Sequence, residues 1–214
     1  WTCYDHGLQS AMIVRWPGQV KAGTTTDAMV EYVDVTPTFI DVAGGEPVSP
    51  VDGRSFLPVL SGESETHKKH VFGIMTTRGI INGTDSYAIR SVRDTRYKLI
   101  LNLNHQSKFT NACTKSPAFQ SMVAKAEVGD ATARRLVHAY QYRPAVELYD
   151  MQSDPLEMTN IAGQTGTEKH TIRLRGKLEE WMKSQADQGI ETELRAGNRQ
   201  GAKRRNKKNT LKKI

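Results

Sequence analysis

The stretch "ELYDMQSDPLEMTN", residues 147–160, gathers Glu147, Asp150, Asp154 and Glu157 just ahead of Asn160. Carboxylates this close together can collect a hard cation on oxygen ligands. They can equally mark the end of a strand and the turn that follows it. The spacing lacks the glycine and the terminal glutamate of an EF-hand loop. In the strand-and-turn alternative, Glu147-Leu148-Tyr149 is a strand. Asp154-Pro155-Leu156-Glu157 is then a tight turn, with Pro155 at its first central position. Asp154 and Asn160 would satisfy local backbone donors. Nothing beside the stretch could serve as a nucleophile.

Other reactive types are sparse. Cys3 and Cys113 have neither C-x-x-C nor zinc spacing, so they form one disulfide or remain two thiols. Arg90 and Arg93 alternate with Ile89 and Val92, a pattern that predicts salt bridges on a sheet face. Asn82-Gly83-Thr84 fits the glycosylation sequon, which has meaning only in a secretory source.

The chain has 214 residues, room for one domain or a domain and a half. A hydrophobic fraction of 37% suits a protein with a core. No apolar run approaches the roughly 18 residues of a membrane span, so no membrane partner is expected. The net charge of +7 invites a nucleic-acid reading, but its distribution argues against one. From Arg195 onward every charge is basic, as in "AKRRNKKNTLKK", and the remainder is near neutral. A nucleic-acid module spreads basic and aromatic residues over a folded face. Residues 191–214 are therefore expected to be a solvated, disordered basic tail. Trp1-Thr2-Cys3-Tyr4-Asp5 carries neither an initiating Met nor a basic-then-apolar leader, so the chain reads as a piece of a longer protein.

These groups must be positioned by regular elements. "SAMIVRWPG" predicts a buried strand over Met12 to Trp16, stopped by Pro17-Gly18. A helix is expected to start at Pro37, capped by Thr36, to pack on that strand and to stop at Gly44-Gly45. A short helical turn is expected around Phe56 to Leu60. Strands are predicted over Val71 to Met75, Tyr87 to Val92, Tyr97 to Leu103 and Val146 to Tyr149, in one mainly antiparallel sheet, with a hairpin at Asp94-Thr95-Arg96. Two helices follow Ser116 and Asp130. A last helix from about Glu168 to Ala186 carries Ile172, Leu174, Leu178, Trp181 and Met182 on one side. The class is α/β, with residues 1–62 closing one domain and 63–190 forming a small α+β subdomain.

Five segments in this order resemble the C-terminal part of sulfatases of the alkaline-phosphatase-like superfamily. They are "TCYDHGLQSAMIVRWPGQV", "YVDVTPTFIDVAG", "DGRSFLPVLSG", "IRSVRDTRYKLILNL" and "ELYDMQSDPLEMTNIA". "SPAFQSMVAKA" and "YQYRPAVELYD" are most similar to the sulfamidase branch, which removes N-linked sulfate from glucosamine in heparan sulfate. The resemblance selects the strand-and-turn reading of residues 147–160. It implies a hydrolase of sulfate esters or sulfamates of sulfated sugars, placed in a periplasmic, secreted or lysosomal compartment. It also implies a formylglycine nucleophile, made within C/S-x-P-x-R, and a calcium ion. Neither cysteine lies in that motif, so catalytic and metal residues are expected upstream and the chain alone should be inactive. Two local substrate contacts remain. His6 is one, because "YDHG" directly follows the family's sulfate-holding basic position. Arg78 is the other, since it lies in the polar loop "TTRGIING" and has a planar fork suited to a sulfate or carboxylate. The alternative functions are a non-catalytic sugar-binding or scaffold module and, through the tail, a nucleic-acid binder.

Overall fold

A computed structural model describes residues 2–46, 49–76, 83–84 and 86–199, with side chains to 196. Its centre is a four-stranded antiparallel sheet: β1 (Val71–Met75), β2 (Ile89–Arg93), β3 (Tyr97–Asn102) and β4 (Val146–Asp150), in the order β1-β2-β3-β4. The expected hairpin joins β2 to β3. Its Asp94 carboxylate accepts from the Arg96 and Tyr97 N–H groups at 2.8 and 2.6 Å, which fixes the turn.

Register places Val92 beside Leu99 and Leu99 beside Leu148. Because side chains alternate along a strand, these residues share one face. They are fully buried together with Leu174 and Leu178 of the covering helix α6 (Glu168–Ser184). Each such leucine contributes roughly 1.5–3 kcal/mol of burial. Trp181 stacks on Phe72 at 4.7 Å between ring centroids. Ile172 departs from the expected stripe and is exposed. It lies two residues, about 200° of helical rotation, from Leu174.

The opposite face carries Ile89, Ile100, Tyr149 and Met75, packed with Cys3, Tyr87 and Phe109. Helices α4 (Pro117–Glu127) and α5 (Ala131–Gln141) pack on each other as a pair near this face, and Tyr140 of α5 meets both Phe109 and Phe119. Both helices are capped as their sequences require. Ser116 Oγ accepts from Phe119 N–H, and the Asp130 carboxylate accepts from Ala133 N–H. Cys3 and Cys113 are free thiols.

The first block departs from expectation. Met12 to Trp16 forms no strand, and Ile13 is 92% exposed. An apolar run becomes a buried strand only beside partner strands, and none of the described strands pairs with it. The next helix, α2 (Val35–Val42), starts two residues before Pro37, and its N-cap is Asp34, not Thr36. It contacts the 3₁₀ turn Tyr32–Asp34 and helix α3 (Leu57–Ser61), and leaves Phe39 exposed. The expected packing of this helix on a 12–16 strand is therefore absent.

The expected tail also begins differently. From Ile190 to Arg199 the chain is a helix, α7, whose Glu193 is buried and accepts from the Thr76 hydroxyl. Solvated-tail logic fails here because charged groups can be buried when partnered. The α6–α7 corner is held by a buried bidentate pair, Arg90 Nε to Asp187 Oδ2 at 2.5 Å and Arg90 Nη2 to Asp187 Oδ1 at 3.2 Å. The run from 200 onward lies outside the described residues.

The Asp187 pair gives a pH dependence with a definite sign. Burial pushes the Asp187 carboxyl up, but the Arg90 guanidinium and the Gly189 N–H outweigh it, so its pKa is lowered. A depressed acid contributes stability above the unfolded carboxyl value of about 3.9. That contribution is lost as pH falls through the folded value. Asp187→Asn should therefore melt below wild type at pH 6, and the gap should shrink below about pH 4. A gap that stays constant from pH 6 to pH 3 would contradict this assignment.

Candidate functional site

The N-terminal residues make a single helical turn, α1 (Asp5–Leu8), in which Tyr4 O accepts from Gly7 and Leu8 N–H. Two glycines allow its close packing. A Cβ on Gly7 would lie 2.5 Å from Thr2 O, and one on Gly73 of β1 would lie 2.6 Å from a Leu8 methyl. The turn thus sits against the sheet with Leu8 over β1, while His6 faces outward and is exposed.

Asp5 anchors the turn. Its carboxylate receives Lys98 Nζ at 2.7 Å and Arg93 Nη1, and its backbone N–H donates to Glu157 Oε2 at 2.5 Å. Lys98 Nζ also lies 2.8 Å from Glu157 Oε1. Lys98 comes from the inward face of β3 and is 1% exposed. Glu157 reaches it from the turn after β4, with a positive φ of 54°. That conformation costs a non-glycine residue on the order of 1 kcal/mol or more. The turn that imposes it is held by Asp154, whose carboxylate accepts from Met158 and Thr159 N–H at 3.0 and 2.7 Å. Two acids and two bases therefore balance one another in a nearly dry site. Burial raises the Glu157 pKa, and Lys98 offsets that only in part.

A second anchor lies one residue earlier. Tyr4 donates its hydroxyl to Glu147 Oε2 at 2.7 Å. Glu147, 2% exposed, also accepts from Tyr149 OH and from Asn102 Nδ2, both at 2.5 Å. Burial and then the Glu147 charge push both tyrosines well above the usual phenol range. The Arg143 guanidinium lies between the rings of Phe109, at 3.9 Å, and of Tyr4 and Tyr140, both at 5.2 Å.

The structure therefore places His6 on an exposed turn whose two preceding residues, Tyr4 and Asp5, are both anchored. Arg78 lies outside the described residues, as does most of its loop. Arg93 pairs with Asp5 and Arg90 with Asp187, the sheet-face salt bridges expected for both. The stretch 147–160 is a strand and turn, with Asn160 Oδ1 accepting from Leu148 and Ala162 N–H at 2.9 Å each. Sequence reasoning missed Lys98, Glu147 and Glu157 as interior charges. The available signal was a lysine and an asparagine sharing alternate positions with Ile100 in the most apolar strand.

These carboxylates do not fit calcium. Those of Asp5 and Glu157 already hold Lys98, and Asp5 holds Arg93 as well, so an added divalent ion would meet two fixed cations. Among the described residues, no group of three or more His, Cys, Asp or Glu side chains is arranged for a metal. Cys3 is buried and its thiol is pushed up to about 11, largely by that burial. A second charged cluster, around Asp34, is also saturated. Its oxygens take Glu31 N–H, Arg54 N–H and Lys68 Nζ, with His67 Nε2 at 3.3 Å, and they tie α2 to residues 54 and 67–68. Among the described residues no helix is long and apolar enough to cross a membrane.

Comparison with known proteins agrees with this architecture. A family model described as N-sulphoglucosamine sulphohydrolase, C-terminal, matches residues 2–112. An ulvan-active sulfatase of Formosa agariphila is 33% identical over 186 residues, covering 87% of this chain and 35% of that protein. The N-sulphoglucosamine sulphohydrolase of Homo sapiens is 31% identical over 193 residues, covering 83% of this chain and 37% of that protein. A solved structure of a protein in complex with its substrate D-glucosamine-2-N,6-O-disulfate superposes with a TM-score of 0.56 at 28% identity. It covers 80% of this chain and 27% of that one. The chain spans roughly a third of the length of these curated relatives.

Proposed function

Since this chain belongs to the N-sulphoglucosamine sulphohydrolase C-terminal family, we propose that the intact protein is a sulfatase acting on sulfated sugars, and that this region is its C-terminal subdomain. The observation that carries the reading is the family match over residues 2–112, which includes the anchored His6 turn and the first three strands. The substrate class is a sulfate ester or sulfamate of a sugar, and the names of the matched relatives point to N-sulfated glucosamine or ulvan. By the family resemblance, a formylglycine nucleophile and a calcium ion would be held by residues outside those described here, since the carboxylates of Asp5 and Glu157 are already paired with lysine and arginine. Such a nucleophile and cation would supply the attack on sulfur and the charge stabilisation. This subdomain contributes His6, an imidazole that can donate to or accept from a sulfate or sugar oxygen at the rim of the site.

The test is release of inorganic sulfate by the intact protein from N-sulfated glucosamine, 6-O-sulfated N-acetylglucosamine and ulvan oligosaccharides. Turnover of at least one is expected. His6→Ala should lower kcat/KM by about 10- to 100-fold, equivalent to one charge-assisted hydrogen bond of about 1.5–3 kcal/mol. Absence of sulfate release from every substrate by the folded wild-type protein would overturn the reading.

A further inference from the structure

Resting on that sulfatase reading, we propose that the buried sets Asp5–Lys98–Glu157 and Tyr4–Glu147 are positioning residues for the reaction, which set the His6 imidazole through the two residues that immediately precede it. The inference comes from how many independent restraints converge on two adjacent residues. Asp5 is held through both carboxylate oxygens and through its N–H. Tyr4 is held through its hydroxyl and has the Arg143 guanidinium against its ring. Restraints on Tyr4 and Asp5 leave His6 with little backbone freedom, although its own side chain faces solvent.

The composition of the anchor argues against stability as its sole purpose. Buried ion pairs often contribute less than well-packed apolar residues of the same volume, because desolvation opposes the attraction. Here the molecule also tolerates a left-handed glutamate to complete the set. Strained backbone of this kind concentrates where geometry has to be over-determined. A turn carried by a rigid sheet through fixed charges gives the precision that a loop alone lacks, and misplacement by about 1 Å can cost on the order of a hundredfold in rate.

The experiment is a double-mutant cycle on the intact enzyme with N-sulfated or 6-O-sulfated glucosamine as the probe. Glu157→Gln keeps the shape and an acceptor for the Asp5 N–H while removing the charge that faces Lys98. Tyr4→Phe removes only the hydroxyl. Each is expected to lower kcat about tenfold with His6 present and by less than twofold in a His6→Ala background, whereas its effect on Tm should be the same in both backgrounds. Equal rate losses in the two backgrounds would overturn the proposal and leave a purely structural anchor. If Glu157→Gln fails to fold, Tyr4→Phe carries the cycle alone.

An arm without turnover separates this inference from the sulfatase reading. Amide hydrogen exchange of residues 6–9 in the intact protein should speed up at least tenfold in either variant, with the β3 amides unchanged. Faster exchange in the variants, with no turnover of any sulfated sugar by the wild-type protein, would sink the sulfatase reading and keep the positioning of the turn. Unchanged exchange would sink the positioning itself.

Discussion

Lys98→Met is expected to be the most destabilising single substitution in this subdomain, by about 3–5 kcal/mol. The side chain is 1% exposed and faces Asp5 at 2.7 Å and Glu157 at 2.8 Å. Methionine fills similar space but leaves two carboxylates with Arg93 as the one cation on them. Most of the loss comes from those stranded charges, not from the missing ammonium. The double variant Lys98→Met with Glu157→Gln should accordingly recover part of it, since one stranded charge is neutralised. Urea unfolding of the intact protein, followed by a probe within the sheet, reads both. A loss under about 1 kcal/mol for the single variant, the range of an exposed pair, would show that the site is wet and that the ledger of buried charge is wrong.

The second large effect is on activity. The 214-residue chain alone is expected to release sulfate no faster than buffer. The intact enzyme should do so with the millionfold or greater acceleration typical of enzymes. The reason is chemical. Of the two residues singled out as substrate contacts, His6 alone falls among the described residues, and a single imidazole supplies neither a nucleophile nor a cation for the sulfate oxygens. Cys3 is buried and hard to ionise, and Cys113 lies in "CTKSP". Turnover by the purified chain at a rate near that of the intact enzyme would show that a nucleophile within it had been missed.

Local pattern and tertiary context divide what could be read from the sequence. Tyr97–Asn102 declares itself as a strand through an apolar run of strand length, and Asp94-Thr95-Arg96 declares the hairpin. The four strands, the caps at Ser116 and Asp130 and the Leu174/Leu178 stripe follow from local rules of the same kind. Met12 to Trp16 has the same apolar character, yet it forms no strand because strand identity depends on a neighbour. Ile190–Arg199 reads as soluble charge until Glu193 is seen against Thr76. The two acids that matter most to the site, Glu147 and Glu157, were visible only as members of an acidic stretch. Their partners, Lys98 and Tyr4, lie 59 and 143 positions away in the chain. Pairing across such separations is decided by sheet register and by a strained turn, and neither can be read from spacing. The "YDHG" motif singles out His6 and the turn it lies in. What holds that turn cannot be read from the motif.

The proposed function requires that the Tyr4–Leu8 turn border the place where the intact protein would bind sulfate. A structure of the intact protein with a sulfated glucosamine bound tests it most directly. A His6 ring nitrogen is expected within about 3.2 Å of a sulfate or sugar oxygen, or of one water that bridges to it. Asp5 is expected to remain paired with Lys98 and Glu157. A bound substrate whose sulfate lies more than about 10 Å from His6, beyond the reach of a bridging water, would contradict it.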